Sequence, residues 1–118
     1  MIHPAEVPGH LNEVHLVGRL AIAPTTRELP SGDVLLSLRL VVGRAGGRKG
    51  VTSRSPTVDT LDCAVWRADV RRRALSLQPG ETIEIHGALR RRFWRQGVTP
   101  VSRSEVEVFR LRRVRPTA

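Results

Sequence analysis

The sequence predicts an all-β fold, a small five-stranded Greek-key barrel with one short helix between its third and fourth strands. Three observations carry this expectation. Apolar residues recur with period two in five separate segments, a single segment switches to a helical period, and turn-forming residues separate them. The chain has 118 residues, of which 40% are hydrophobic, enough for one core and one domain.

Residues 1–11 hold two prolines and a glycine without any period and read as a flexible leader. From Asn12 the pattern alternates. Val14, Leu16, Gly18, Leu20 and Ile22 share one face, His15, Val17, Arg19 and Ala21 the other, and Pro24 stops the strand. Leu29-Pro30-Ser31-Gly32-Asp33 has the composition of a tight turn. A second strand follows over Val34 to Val42, with Leu36, Leu38 and Leu40 inward and Ser37, Arg39 and Val41 outward. Gly43 to Pro56 contains four glycines and the basic residues Arg44, Arg48, Lys49 and Arg54, the composition of a mobile basic loop.

The third strand, Val58 to Trp66, places Leu61, Cys63 and Val65 on one face and Thr60, Asp62, Ala64 and Trp66 on the other. Cys63 reads as a small core residue. Over residues 67–77 the period becomes helical, with Val70, Ala74 and Leu77 on one side and Arg71, Arg72 and Arg73 on the wetter side. Gln78-Pro79-Gly80 ends that helix. A long strand from Glu81 to Arg95 sets Ile83, Ile85, Gly87 and Leu89 against Glu84, His86, Ala88, Arg90, Arg92 and Trp94. Gln96 to Pro100 reads as a loop. In the last strand, Arg103 to Val114, Val106 and Val108 fall in one phase and Phe109 and Leu111 in the other, which predicts a bulge. Phe93 and Phe109 fall in apolar phases and are expected in the core. The order strand, strand, strand, helix, strand, strand is the OB-fold arrangement.

Charge narrows the function. Twenty basic residues against eleven acidic ones give a net charge of +9, and such an excess favours a polyanionic partner. Single strands are held by a basic groove for phosphates interleaved with aromatic faces for bases, and Arg90, Arg92 and Trp94 alternate in that way. Both tryptophans sit on strand faces opposite the main apolar rows. No run of 18 apolar residues could span a membrane. No signal-peptide pattern opens the chain, so a cytoplasmic location is expected. Carboxylates are scattered, and Gly43 to Gly50 lacks the order of a phosphate-binding loop, so an enzyme is not expected. Cys63 is alone, and His3, His10, His15 and His86 do not fall at zinc-ligand spacings, so neither metal nor cofactor is expected.

Asn12-Glu13-Val14-His15-Leu16-Val17-Gly18-Arg19-Leu20, with Pro24 and Arg27 after it, resembles the opening strand of the bacterial single-stranded DNA-binding protein family. Leu29-Pro30-Ser31-Gly32 is similar to that family's first turn. Gly80 with Ile83, Ile85, Gly87, Leu89, Arg90, Arg92 and Trp94 resembles its fourth strand, and Ser104-Glu105-Val106-Glu107-Val108 its last. The resemblance spans residues 12–113. It implies sequence-independent binding of single-stranded DNA in replication, repair or recombination, with self-association as a homotetramer near the nucleoid. Trp66 and Trp94 stand where the family has base-stacking aromatics, and Arg27, Arg90 and Arg92 match basic positions that contact the strand. Arg39, Arg44, Arg48, Lys49 and Arg54 join them by location, as do Arg19, inside the matching opening segment, and Arg95, next to Trp94.

Two departures stand out. Gly46 and Thr60 occupy places where the family has further tryptophans, and Asp62 replaces a basic residue. The chain also ends at Val114-Arg115-Pro116-Thr117-Ala118 without an acidic tail, so an accessory paralogue without tail-mediated recruitment is expected. The expected domain covers residues 12–114, followed by a short tail at 115–118. The alternative is an OB-fold module that binds RNA, or a structural one with weak or lost DNA binding.

Overall fold

The computed structural model describes residues 3–44 and 57–117. The elements are β1 (Val14–Leu20), β2 (Thr25–Glu28), β3 (Val34–Gly43), β4 (Val58–Val65), α1 (Ala68–Leu75), β5 (Thr82–Gln96) and β6 (Thr99–Arg113). The strands lie in the order β1-β5-β6-β4-β3-β2, and β1 also pairs with β3, which closes β1, β5, β6, β4 and β3 into a barrel. The β4–β6 seam is the parallel one, with Cys63 opposite Val106. This is the five-stranded barrel that the sequence predicts, with its helix between the third and fourth barrel strands.

Closure depends on close backbone approach. β1 pairs with β5 along Val14–Arg19 and with β3 through Arg19 and Leu20. Gly18 sits where the two ladders meet, and a Cβ there would lie 2.5 Å from the Val41 carbonyl oxygen. Leu20, Leu36, Leu38, Leu40, Val65, Ile83, Ile85, Val108 and Leu111 fill the interior. One face of α1 joins them, as Val70 and Ala74 are buried together with Leu77 just beyond the helix. Arg73 Nη1 donates to the Leu111 carbonyl at 3.0 Å and ties the helix to β6. Among the described residues no helix is long and apolar enough to cross a membrane.

Cys63 is 2% exposed, in the core as expected. Burial pushes its thiol up to about 12, and the negative charges of Asp62 and Glu105 add to the effect.

The structure departs from the sequence reading in four places. Thr25–Glu28, a segment without strand periodicity, forms an edge strand paired with Val34–Ser37. All four of its residues are exposed, so hydrophobic alternation carries no trace of it. The expected loop at Gln96 to Pro100 is a tight hairpin instead. Gln96 pairs with Thr99, Gly97 takes φ +65°, and the last strand begins at Thr99 rather than Arg103. Pro100 hides that strand, because proline ordinarily counts against one. The alternation puts Leu89 on the inward row, yet it is 52% exposed and Ala88 is the buried neighbour. β1 begins at Val14, opposite Gly87, so the edge of β5 is uncovered beyond that point. Asn12 continues the ladder with its side chain, donating from Nδ2 to the Leu89 carbonyl at 2.7 Å and accepting from the Leu89 N–H at 2.8 Å. Phe93 and Phe109, finally, are exposed rather than core, Phe93 because β5 and β6 run past the barrel as a two-stranded ribbon.

Phe109 also marks the predicted bulge. His86 pairs with Arg110 and Gly87 with Val108, which leaves Phe109 as the extra residue of β6. The strands approach so closely there that a Cβ on Gly87 would lie 1.8 Å from the Glu107 carbonyl oxygen.

Two outcomes follow from this packing. Gly87→Ala must displace backbone rather than a side-chain tip, and it should cost about 1–3 kcal/mol or more in chemical denaturation; an unchanged midpoint would show that the bulge relaxes freely. Cys63 should resist thiol reagents in the native chain and react once unfolded; rapid native labelling would mean that the barrel opens at β4.

Candidate nucleic-acid interface

Cross-strand partners share a face of a sheet, so the registers assemble the site rung by rung. Arg39 on β3 lies opposite Asp62 on β4, and the β4–β6 seam brings Asp62 beside Glu105. Across to β5, Glu105 lies opposite Arg90, Arg103 opposite Arg92 and Val101 opposite Trp94. On the other side, β2 contributes Arg27 opposite Leu35, in phase with Ser37 and Arg39. One continuous outer face therefore carries five guanidiniums (Arg27, Arg39, Arg90, Arg92, Arg103) and Trp94.

Arg27, Arg92, Trp94, Arg103 and Glu105 line a groove of about 480 Å³. A smaller adjoining hollow of about 240 Å³ shares Arg92, Arg103 and Glu105 and extends to Arg39 and Asp62. The Arg103 guanidinium carbon stands 5.6 Å from the centroid of the Trp94 ring, within cation–π range.

Carboxylates hold these cations in place. Asp62 accepts from Arg39 Nε at 3.2 Å and from Arg103 Nη1 at 3.3 Å. Glu107 accepts from Arg90 at 3.4 Å, and Glu105 lies 4.0 Å from Arg92 Nη1. The arginine side chains are all more than a third exposed, so each pair contributes only ~0–1 kcal/mol. Such pairs orient guanidiniums toward solvent and give them up readily to another anion.

The remaining candidates lie elsewhere. Trp66 follows the last residue of β4 in phase with Ala64 and Asp62, is half-buried, and lines neither groove at Trp94. Its carbonyl accepts from Arg71. Arg44 donates to Asp59 at 2.9 and 3.2 Å, which raises its own pKa and lowers that of the carboxylate. Arg95 pairs with Pro100 in the phase of Phe93, on the opposite face of the ribbon from Trp94. Arg48, Lys49 and Arg54 lie outside the described residues.

Arg19 lies opposite Thr82 and Val41, on the surface that β1 and β5 share with Val17 and Glu84. Hydrogen bonds with His15 and Arg112 hold the Glu84 carboxyl at about 2 on that surface. Desolvation, followed by the charges of His15 and Arg110, keeps His86 below its ordinary value.

Sequence reasoning missed Arg103. The apolar phases make it merely the first residue of the last strand, and only the β5–β6 register sets it beside Arg92 and over Trp94. Its alternation with Val101 and Glu105 is the available signal, obscured by the loop that Gly97 and Pro100 suggest there.

Comparison with known proteins agrees with this architecture. A single-stranded DNA-binding protein of Thermosynechococcus vestitus is 32% identical over 94 residues, covering 80% of this chain and 72% of its own. Single-stranded DNA-binding protein 1 of Synechocystis is 28% identical over 103 residues, covering 86% and 81%. The Deinococcus radiodurans single-stranded DNA-binding protein is 32% identical over 87 residues, which are 73% of this chain but only 28% of that longer protein. Among solved structures, Plasmodium falciparum SSB in complex with ssDNA superposes with a TM-score of 0.75 at 18% identity, over 93% of this chain and all of that one, a likeness of fold. The family model described as the single-strand binding protein family matches residues 11–113, from the Asn12 edge to the end of β6. With that match over nearly the whole barrel, the chain belongs to the single-strand binding protein family, whose members bind DNA and are not enzymes.

Proposed function

We propose that the chain binds single-stranded DNA without sequence preference along the face that runs from Arg27 to Trp94. The observation that carries the reading is the groove in which Arg27, Arg92 and Arg103 surround the Trp94 ring. Bases stack on Trp94, and every base has a π-face, so no sequence is favoured. Phosphates replace Asp62 and Glu105 as partners of Arg39, Arg103 and Arg92. That exchange costs little, because the internal pairs are exposed and weak. Trp66, half-buried and outside this groove, is the lesser platform. Thr60 stands where a further aromatic was expected, so the arginines carry a larger share of the affinity.

Family membership supports further parts of the reading. A domain of residues 12–114 self-associates as a homotetramer and works on the cytoplasmic nucleoid in replication, repair or recombination. The exposed Val17 and Phe109 offer apolar surface for a second copy to cover.

Labelled oligo-dT should bind at low salt, with log K falling against log salt by about 0.7 per phosphate engaged; no binding at ~50 mM salt sinks the proposal, and preference for a matched RNA competitor would reassign the ligand. Trp94→Ala is expected to lose ~1–3 kcal/mol of affinity with the melting temperature unchanged, and undiminished affinity would return Trp94 to a structural role. Asp62→Asn, which frees Arg39 and Arg103 together, should tighten binding and steepen its salt dependence; weaker binding would mean that Asp62 positions the guanidiniums.

A further inference from the structure

The Trp94 groove occupies one face of the β5–β6 ribbon, and the other face is not blank. Along β5, Arg91, Phe93 and Arg95 alternate with Arg90, Arg92 and Trp94 and so project to the opposite side. Their partners on β6 are Ser104, Ser102 and Pro100. Phe93 is 74% exposed, against 37% for Trp94. Residues two apart on a strand are ~7 Å apart, so the ring stands in one row with an arginine on either side.

The two faces differ in charge. Both acidic residues of β6, Glu105 and Glu107, fall in the phase of Arg103 and the Trp94 groove. On the Phe93 face Arg91 donates only to hydroxyls, those of Ser102 at 3.1 Å and Ser104 at 3.4 Å. Among the described residues neither Arg91 nor Arg95 has a carboxylate partner. A lone exposed phenylalanine is ordinary on a protein surface. An exposed ring between two uncompensated guanidiniums is different, because it repeats the pairing of stacking face and phosphate contact that holds single strands.

Building on the reading of the Trp94 groove, we propose that the bound DNA continues round the ribbon and stacks a further base on Phe93, with Arg91 and Arg95 on the flanking phosphates. Trp94 and Phe93 are neighbours in sequence and lie back to back, so a short crossing joins the two platforms. The route is open at the outer edge of β5. Pairing with β1 stops at Gly87, the Asn12 side chain reaches only Leu89, and no described strand covers the edge beyond it. Self-association does not compete for this face. Val17 lies opposite Glu84, and Phe109 lines a hollow with Glu84 and His86, so a copy covering them sits on the other phase of β5.

The test is a set of anisotropy titrations of the full chain with labelled oligo-dT of about 16 nucleotides, the upper end of what one barrel covers. Phe93→Leu keeps an apolar side chain but removes the π-face, and should weaken binding at least about fivefold with the melting temperature unchanged. Phe93→Trp keeps a π-face and should bind at least as tightly as the unaltered chain. Arg91→Gln together with Arg95→Gln should flatten the dependence of log K on log salt by about 1.4, for two phosphates at about 0.7 each. Undiminished affinity in Phe93→Leu overturns the proposal, as does equal loss in Phe93→Leu and Phe93→Trp, or an unchanged salt slope in the double variant. If Trp94→Ala still weakens binding in those cases, the reading of the Trp94 groove stands alone. A smaller mass for Phe93→Leu by light scattering, with DNA affinity unchanged, also overturns the proposal and assigns the face to a second copy. No binding by the unaltered chain removes both readings.

Discussion

At Gly87 the carbonyl of Glu107 occupies the space that any side chain would need, and much of the molecule follows from that contact. The approach is possible because β6 inserts Phe109 as an extra residue opposite β5. The bulge changes the phase of β6 between the two halves of the strand. Beyond it Leu111 points inward and Arg110 and Arg112 outward; before it Val106 and Val108 point inward and Arg103 and Glu105 outward. Without that slip, either the core row or the outer guanidinium row would face the wrong way. Gly18 plays the matching part at the β1–β3 seam, so two glycines let a short sheet close on itself.

β5 runs through two different outer surfaces. Its first half lies in the barrel wall and presents Glu84 and His86 beside His15. Its second half leaves the barrel with β6 and presents Arg90, Arg92 and Trp94. A ribbon this long would be a poor folding unit by itself. It is anchored by the barrel at one end and closed by a two-residue turn with Gly97 at positive φ at the other. The aromatic face is thus carried on an element whose base is rigid and whose tip is solvated.

The electrostatics of the Trp94 face differ from what net charge alone suggests. Four of its guanidiniums already have carboxylate partners within the chain, and Asp62 serves two of them. Asp62 looks like a lost contact when a basic residue is expected at that position. In the fold it becomes the pivot that sets Arg39 and Arg103 side by side. Exposed pairs of this kind are weak enough to be exchanged for phosphate, so the carboxylates orient the arginines without neutralising the surface.

The sequence by itself determined the barrel strands, the helix and the bulge, because each buries a face whose period is written in consecutive residues. Leu36, Leu38 and Leu40, the Val70–Ala74–Leu77 set and the Val108–Phe109 slip are all local signals. It also determined the Arg90–Arg92–Trp94 interleaving, which is local to one strand. Thr25–Glu28 escaped because an exposed edge strand has no buried face to advertise. Only the tertiary structure decided which distant residues meet, because register is a relation between strands and not a property of either. It set Arg103 beside Arg92 and over Trp94, turned Arg95 to the far side, and brought His15 to His86 and Glu84. Leu89 and Phe93 make the same point from the other side. Their apolar phase is legible in the chain, but whether anything covers them depends on where β1 begins and how far β5 and β6 outrun the barrel.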